Sequence, residues 1–159
     1  MPKVFGHIAV VAVGKLRAPH WQAAQEEYLK RLRRYGNVRL VEVKDNAGRG
    51  APDAVAVQRE AKALLDASSG ARARFALSPE GRRMTSEGFA EFLRGETLAG
   101  GSIALLVGGP LGLGEEVAAA CRAALSLSDM TLPHELARVV LLEQIYRAGT
   151  ILCGEKYHK

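Results

Sequence analysis

The last third of the chain contains the residue types that could bind a ligand and carry out chemistry on it. Two loop-like segments there, 108–114 with four glycines and 126–132 with Ser, Thr and Met, each follow an apolar run. The chain ends on Tyr157-His158-Lys159, which supplies an aromatic ring, an imidazole and a cation. Glycine lets backbone approach a ligand closely, and α/β proteins bind ligands in loops that follow strands. The pattern predicts a ligand site built from loop backbone, with a proton-exchanging histidine in the chain's polar tail.

The glycine-rich segment does not match the common phosphate-binding motifs. A P-loop requires Gly-Lys-Ser/Thr, which is absent here, and the spacing Gly109, Gly112, Gly114 reverses the GxGxxG order of a dinucleotide-binding turn. Ser126 and Ser128 have no His and Asp at the spacing of a nucleophile elbow, which disfavours an acyl hydrolase. From this motif alone, a tight turn without a ligand is an equal alternative.

Strand-like and helix-like segments alternate along the chain and must position these loops. Apolar runs predict strands at 4–13, 38–43, 73–77 and 102–107, with a brief strand or extended loop at 127–132. Helical spacing predicts helices at 19–35, 52–67, 85–93, 115–125 and 133–152. The alternation predicts an α/β fold whose parallel-type sheet is flanked by helices on both faces, as a single domain over residues 1–159.

Composition favours a globular protein of the cytoplasm. Apolar residues make up 48% of the 159 residues and charged residues 25%, enough for one domain with a core. No signal peptide is evident, and the apolar run 8–13 is too short to span a bilayer. Cys121 and Cys153 form no CxxC pair, so they are interpreted as small core residues in a reducing compartment, with almost no support for zinc.

The positive charge favours a polyanionic partner. Lys and Arg outnumber Asp and Glu by 22 to 17, which gives a net charge of +5. Such a surplus suits phosphate neutralisation, although many small proteins are this basic and bind nothing. The sequence offers eight candidate phosphate contacts and does not choose among them: Lys15, Arg17, Lys30, Arg31, Arg33, Arg34, Lys156 and Lys159.

Four segments of the last third resemble one protein family. They are Leu105-Leu106-Val107-Gly108-Gly109-Pro110-x-Gly112, Leu125-Ser126-Leu127-Ser128-x-Met130-Thr131-Leu132-Pro133-His134, Arg138-Val139 with Glu143-Gln144-x-Tyr146-Arg147-Ala148, and the terminal Tyr157-His158-Lys159. They are similar to the RlmH family, small SPOUT-class methyltransferases that use S-adenosylmethionine on 23S ribosomal RNA. Chain length and element order also agree, while segment 45–95 matches weakly.

The resemblance implies a fold, a cofactor and a target. SPOUT domains tie the C-terminal part of the sheet into a trefoil knot and act as homodimers with the long C-terminal helix in the interface. The target is N3 of a pseudouridine in a 23S stem-loop at the subunit interface of the ribosome, and the reaction needs no metal. The cofactor residues implied for this chain are Leu77, Gly108, Leu127, Ser128, Asp129, Met130, Thr131 and Leu132.

The resemblance also assigns roles near the end of the chain. His158 is the first candidate to contact the base or accept its N3 proton, Tyr157 could stack on the base, and Arg138 could face the base or a phosphate. The alternatives are a functionless terminus for the tail, an ion pair for Arg138 and a helix-surface pair for Glu143 with Arg147. His134 is expected to shape the cofactor loop.

Two other functions compete with an RNA methyltransferase of the ribosome. One is a ribosome-binding protein whose pocket has lost its cofactor, which the intact Gly108, Gly109 and Tyr157-His158 disfavour. The other is a SPOUT enzyme that acts on tRNA. Methyl transfer to tRNA in place of ribosomes would distinguish the tRNA enzyme from a methyltransferase of the ribosome.

Overall fold

The computed structural model describes residues 3–159 as a five-stranded sheet with helices on both faces. The strands are β1 His7–Val13, β2 Asn37–Val43, β3 Ala73–Arg83, β4 Ser102–Val107 and β5 Ala123–Ser126. The helices are α1 Pro19–Leu32, α2 Asp53–Ala67, α3 Ser86–Glu96, α4 Glu115–Ala120 and α5 His134–Leu152, with a 3₁₀ turn at Leu98–Gly100. This architecture confirms the predicted α/β fold.

The sheet has the order β2-β1-β4-β3-β5, and every neighbouring pair is parallel. Each parallel connection needs a crossover, and the helices between the strands provide it. The carboxyl ends of all five strands therefore lie along one edge of the sheet, where the loops that follow them meet. The C-terminal trefoil knot stays a prediction from the resemblance.

Apolar side chains alternate between two cores along the central strands. In β1, Ile8 and Val10 pack with α1, α3 and α5, whereas Ala9 and Val11 pack with α2 and α4. β4 follows the same alternation and is buried from Ile103 to Val107. A strand that is buried on both faces has a continuous run of apolar residues, so both strands could be predicted from the sequence.

The predicted helix at 115–125 is wrong in its second half. α4 ends at Ala120, and Ala123–Ser126 forms β5, which pairs with β3 at the edge of the sheet. The segment is rich in alanine, so its local propensity favours a helix, but pairing with β3 overrides that preference. The segment 127–132 is consequently a loop after β5 and not a strand.

A bulge extends β3 beyond its predicted end. Residues 78–83, beyond the strand predicted at 73–77, also belong to β3, whose register with β5 shifts between Leu77 and Arg82. A Cβ on Gly81 would lie 2.6 Å from backbone atoms of Ala124 and Leu125, so only glycine permits this approach. The bulge bends the strand and places residues 77–80 beside the loop that follows β5.

The predicted start of the helix at 85–93 and the predicted end of the helix at 133–152 are confirmed. Thr85 caps α3 by accepting a hydrogen bond from the Gly88 N–H at 3.0 Å. Gly154 follows α5 with φ +68°, the left-handed conformation of a C′ glycine, and the tail beyond it packs back against α5. Along residues 3–159, no helix is both long and apolar enough to cross a bilayer.

Candidate functional site

A cavity of about 650 Å³ lies at the carboxyl ends of β3, β4 and β5. Three loops enclose it: residues 77–80 of the β3 bulge, residues 107–113 after β4, and residues 126–133 after β5. The first turn of α5 closes one side through His134 and Ala137. The volume lies within the range of small-molecule and cofactor sites, and the position is the usual one for an α/β protein.

The glycine-rich loop after β4 folds tightly against itself. The Gly112 N–H donates to the Gly109 carbonyl oxygen at 3.0 Å, and Gly112 has φ +75°. A Cβ on Gly108 would lie 2.8 Å from the Gly112 carbonyl carbon and 3.1 Å from the Leu113 nitrogen. Both positions therefore require glycine, one for its φ and one because backbone passes beside it. The structure favours the ligand-site interpretation of this loop over a turn alone, because the loop forms a cavity wall.

The cavity lining suits a partly apolar ligand that carries no phosphate groups. Its walls are the leucines 77, 113, 127 and 132 together with backbone of the glycine loop. Among the lining residues that belong to 3–159, only Glu80 and His134 are titratable, and none is Lys or Arg. A polyphosphate would need cations or a P-loop, whereas an adenosyl group needs a flat apolar slot with backbone hydrogen bonds.

The serines beside the cavity hold the loop in place. Ser126 Oγ donates to the Ser128 carbonyl oxygen at 3.0 Å, and Ser128 Oγ accepts from the Met130 N–H at 2.9 Å. Hydroxyls engaged in this way are loop stabilisers and not nucleophiles. Met130 projects from the same loop, and 78% of its surface is exposed.

Seven of the eight residues predicted to hold a cofactor line the cavity. The exception is Asp129, whose carboxylate accepts two hydrogen bonds from Arg83 Nη1 at 2.7 and 2.6 Å at the protein surface. The lining residues are Leu77, Gly108, Leu127, Ser128, Met130, Thr131 and Leu132. Their part in holding a cofactor stays a prediction, and Asp129 tethers the β5 loop to β3.

The tail residues contact α3 and the second half of α5. His158 lies 2.8 Å from Glu87 Oε1 through Nε2 and 3.2 Å from Arg147 through Nδ1. Tyr157 packs its ring 4.8 Å from that of Tyr146, and the Arg147 guanidinium lies 4.8 Å from the centre of the Tyr157 ring. Since Arg147 is about 20 Å along the helix from the cavity-lining His134 at 1.5 Å per residue, the tail does not line the cavity of its own chain.

Tyr157 is a hydrogen-bond donor in this arrangement. Its hydroxyl donates to Glu143 Oε1 at 3.0 Å, and Arg147 donates to the same oxygen. Burial, together with the hydrogen bond to Glu143, raises the pKa of Tyr157 well above its usual value. The phenol therefore stays protonated near neutral pH and is a poor proton acceptor.

Arg138 lies in the core and away from the cavity. Only 2% of its surface is exposed, and its Nη2 donates to the Val13 and Gly14 carbonyl oxygens at 3.0 and 2.8 Å. Nη1 donates to Glu42 Oε2 at 2.7 Å. Arg138 therefore ties α5 to the carboxyl ends of β1 and β2, which favours the ion-pair alternative over contact with a substrate.

Replacing Arg138 by methionine is expected to lower the free energy of unfolding by about 3 kcal/mol. Methionine retains most of the side-chain volume, but Glu42 and two carbonyl oxygens lose their hydrogen-bond donor. Because Glu42 keeps some access to water, the loss of stability is at the low end for a broken buried ion pair. Urea unfolding measures it. Arg94→Met is the control, because its exposed pair with Glu91 contributes about 0–1 kcal/mol. Equal losses of unfolding free energy in both variants would contradict the role of Arg138 as a buried structural ion pair.

Sequence reasoning missed a buried carboxylate behind the glycine loop. Glu60 is 2% exposed, and its Oε2 accepts from the Asn46 N–H at 2.8 Å. Its Oε1 has no hydrogen-bond partner among the side chains and backbone of residues 3–159 and lies 4.0 Å from the position of a Cβ on Gly109. Burial raises the pKa of Glu60. Its position between the inward-facing Ala56 and Leu64 of α2 was the available signal.

The remaining titratable groups assemble no metal centre within the described residues. No three His, Cys, Asp or Glu side chains of residues 3–159 converge in a way that could hold a metal ion. Cys121 and Cys153 are both free and partly buried, and each packs beside a different one of the two cores.

The class of protein to which this sheet and cavity belong follows from a match to a protein family. A family described as "Predicted SPOUT methyltransferase" matches residues 7–158. Because the match covers nearly the whole chain, the protein belongs to the SPOUT methyltransferase family.

Relatives within that family show which group of methyltransferases the chain resembles. A protein of Anaeromyxobacter sp. (strain Fw109-5) named "Ribosomal RNA large subunit methyltransferase H" is 49% identical over 153 residues, covering 96% of this chain and 99% of the relative. A protein of Clostridium kluyveri with the same name is 40% identical over 159 residues with the same coverage. At these identities the chain groups with the methyltransferase H proteins.

Solved structures agree on the fold. A probable methyltransferase from Bordetella pertussis Tohama I superposes with a TM-score of 0.57 at 17% identity, covering 92% of this chain and 96% of that one. A probable rRNA-methyltransferase from Porphyromonas gingivalis gives a TM-score of 0.53 at 15% identity, covering 96% of this chain and 72% of that one. At such identities the likeness concerns the fold alone.

Proposed function

We propose that the protein transfers a methyl group from S-adenosylmethionine to N3 of a pseudouridine in 23S ribosomal RNA, within assembled ribosomes of the cytoplasm. The observation that carries the proposal is the match to methyltransferase H relatives over 96% of the chain. The apolar cavity without lining cations supports the choice of cofactor, because that donor carries no phosphate.

The chain's own residues would hold the methyl donor without help from a metal. Leu77, Leu127 and Leu132 offer apolar walls for an adenine, and the glycine loop exposes backbone groups that discriminate it by hydrogen bonds. When bound, the donor supplies a methyl group on a sulfonium, which is already a good leaving group. The protein's task is alignment of the acceptor nitrogen with that methyl carbon, which is worth about 7–11 kcal/mol of the barrier.

The acceptor nitrogen must also lose its proton, because a neutral imide N3 has no free lone pair. His158 is the proposed group that receives this proton or stabilises the deprotonated base, a contribution of about 10²–10⁴-fold. Tyr157 is proposed to stack on the base. Arg138 acts in this proposal as a positioning residue, since its donors hold the loop at Gly14 and the β2 residue Glu42.

A homodimer reconciles the tail with the cavity. His158 and Tyr157 do not line the cavity of their own chain, so the proposed chemistry needs them in the cavity of a second copy. α5 supports such an interface, because its apolar Leu136, Val140 and Ile151 remain only partly buried against the sheet. We therefore place α5 at the interface and the tail in the partner's site.

Transfer of labelled methyl to three acceptors tests the proposed function. Wild-type protein is incubated with labelled S-adenosylmethionine and with assembled ribosomes, free 23S RNA or tRNA. We expect label on ribosomes, mapped by mass spectrometry to N3 of one pseudouridine. The ribosomes must come from cells that lack this modification, so that the acceptor is free.

Two other outcomes would redirect the assignment. Label on tRNA alone would favour a tRNA-modifying SPOUT enzyme. No label on any acceptor from correctly folded protein would favour a ribosome-binding protein without catalysis.

A further inference from the structure

A groove with a surplus of positive charge lies beside the cavity, at the carboxyl ends of β1 and β2. It consists of two adjoining clefts of about 370 and 410 Å³ that share Gly14, Lys15, Arg17 and Asp45. We call it the basic groove. Its cationic lining residues come from the loop after β1 and from the end of β2 with the loop that follows: Lys15, Arg17, Lys44 and Arg49.

The cations of the basic groove are free to bind an anion. All four are exposed, and none of their side chains forms an ion pair or hydrogen bond within the part of the chain that the structure describes. Three carboxylates face the groove, but Glu42 is paired with Arg138. Asp45 and Glu135 accept backbone N–H groups, and neither has a cationic partner among residues 3–159. Four cations against these two carboxylates leave a surplus of two.

The basic cluster at the end of α1 is partly neutralised. In the cluster at the end of α1, Arg31 pairs with Glu27 at 2.8 Å and Arg34 with Glu155 at 3.2 Å. Both arginines also pack on tyrosine rings. A cation that already has a partner gains less from a phosphate, since binding must first replace the existing contact. The basic groove is therefore the stronger anion site of the two.

The basic groove opens towards the cavity. Pro110 and His134 line both the cavity and the nearer cleft of the groove. The floor is fixed from below, because buried Arg138 binds the Gly14 carbonyl oxygen and Glu42, which belong to the groove wall. A polyanion in the groove would consequently lie next to a ligand in the cavity, on a preorganised surface.

We propose that the basic groove binds the phosphodiester backbone of the substrate RNA next to the nucleotide that receives the methyl group. The proposal rests on the proposed function in one respect, that the substrate is RNA. Lys15, Arg17, Lys44 and Arg49 neutralise successive phosphates and fix the strand, while the cavity holds the methyl donor. Such contacts position the RNA without reading its bases.

Paired charge-neutralising variants test the groove. Arg17→Gln/Arg49→Gln removes two groove cations. Arg39→Gln/Arg59→Gln removes two other exposed arginines, which form no ion pair within residues 3–159. Both variants have the same net charge, so non-specific attraction falls equally. We measure the KM for ribosomes and kcat across a salt series, with S-adenosylmethionine affinity by calorimetry.

The groove variant is expected to raise the KM for ribosomes about tenfold over the control, with cofactor affinity unchanged. The slope of log affinity against log salt should fall by about 1 to 2, since each phosphate contact contributes about 0.7–0.9. A KM and a salt slope equal to those of the control variant would overturn the proposal, even if wild-type protein methylates ribosomes.

Direct binding separates this proposal from the proposed function. If wild-type protein transfers no methyl group, ribosomal RNA binding is measured by filter retention over the same salt series. Weaker binding by Arg17→Gln/Arg49→Gln than by the control then retains the groove while the methyltransferase assignment fails. Equal binding by both variants overturns the groove as well.

Discussion

Gly108→Ala is expected to lower the affinity for the methyl donor by roughly 10- to 100-fold and to suppress methyl transfer accordingly. The added Cβ would lie 2.8 Å from the Gly112 carbonyl carbon and 3.1 Å from both the Gly112 oxygen and the Leu113 nitrogen. All three atoms are backbone, so no side chain can rotate away. Inserting a methyl group into packed structure costs about 1–3 kcal/mol, and here the strain falls on a cavity wall.

Calorimetric titration with S-adenosylmethionine measures this loss, and urea unfolding checks that the variant is folded. Gly95→Ala provides the matched control, because Gly95 lies in α3 and a Cβ there meets no atom within 4 Å apart from its chain neighbours and the nearby backbone of its own helix. That change should leave donor affinity unaltered and raise stability by about 0.5–1 kcal/mol. Donor affinity of Gly108→Ala within twofold of the wild-type value would refute a ligand role for the glycine loop.

The buried parallel strands and the cavity loops were predictable from the sequence. β1 and β4 are continuous apolar runs because helices cover both faces, and such runs are strong local signals. The loop after β4 was found through its glycines and the family motif, and the loop after β5 through the family motif and the apolar run before it. The structure adds that both loops line one cavity with the β3 bulge.

β5 was missed because local sequence carries no information about a neighbouring strand. Ala123 and Ala124 have high helix propensity, yet they pair with Phe75 and Ala76 of β3. The bulge that permits this pairing depends on Gly81, which in the sequence resembles an ordinary turn glycine. Tertiary pairing decided both positions.

The sequence offered candidate roles for the charged residues but could not choose among them. Arg138 and Arg17 are similar in type, but one is a buried tie between α5 and β1 and the other an exposed cation of the basic groove. Of the eight candidate phosphate contacts, the structure brings only Lys15 and Arg17 next to the cavity's border residues Pro110 and His134. Burial and ion pairing separate these roles, and both are properties of the fold.

Heterodimers of two inactive variants are expected to recover methyl transfer if the tail acts in the partner's cavity. A chain lacking residues 157–159 keeps its cavity, and a Gly108→Ala chain keeps its tail. Each homodimer should be nearly inactive when S-adenosylmethionine is kept well below the dissociation constant of the Gly108→Ala cavity. A heterodimer purified through two different tags has one intact cavity facing one intact tail, so it should show about half of the wild-type activity.

A second heterodimer gives the opposite result and completes the argument. Here one chain carries both changes and the other is wild type. If the tail acts in the partner's cavity, the cavity of the wild-type chain receives no tail, because its partner lacks residues 157–159. The tail of the wild-type chain enters the Gly108→Ala cavity. This heterodimer is then inactive. If the tail serves its own cavity, this heterodimer keeps half of the activity and the first one has none. The contacts of His158 with Glu87 and Arg147, about 20 Å along α5 from the cavity, favour the first result. Failure to isolate any heterodimer from co-expressed chains would instead refute the dimer.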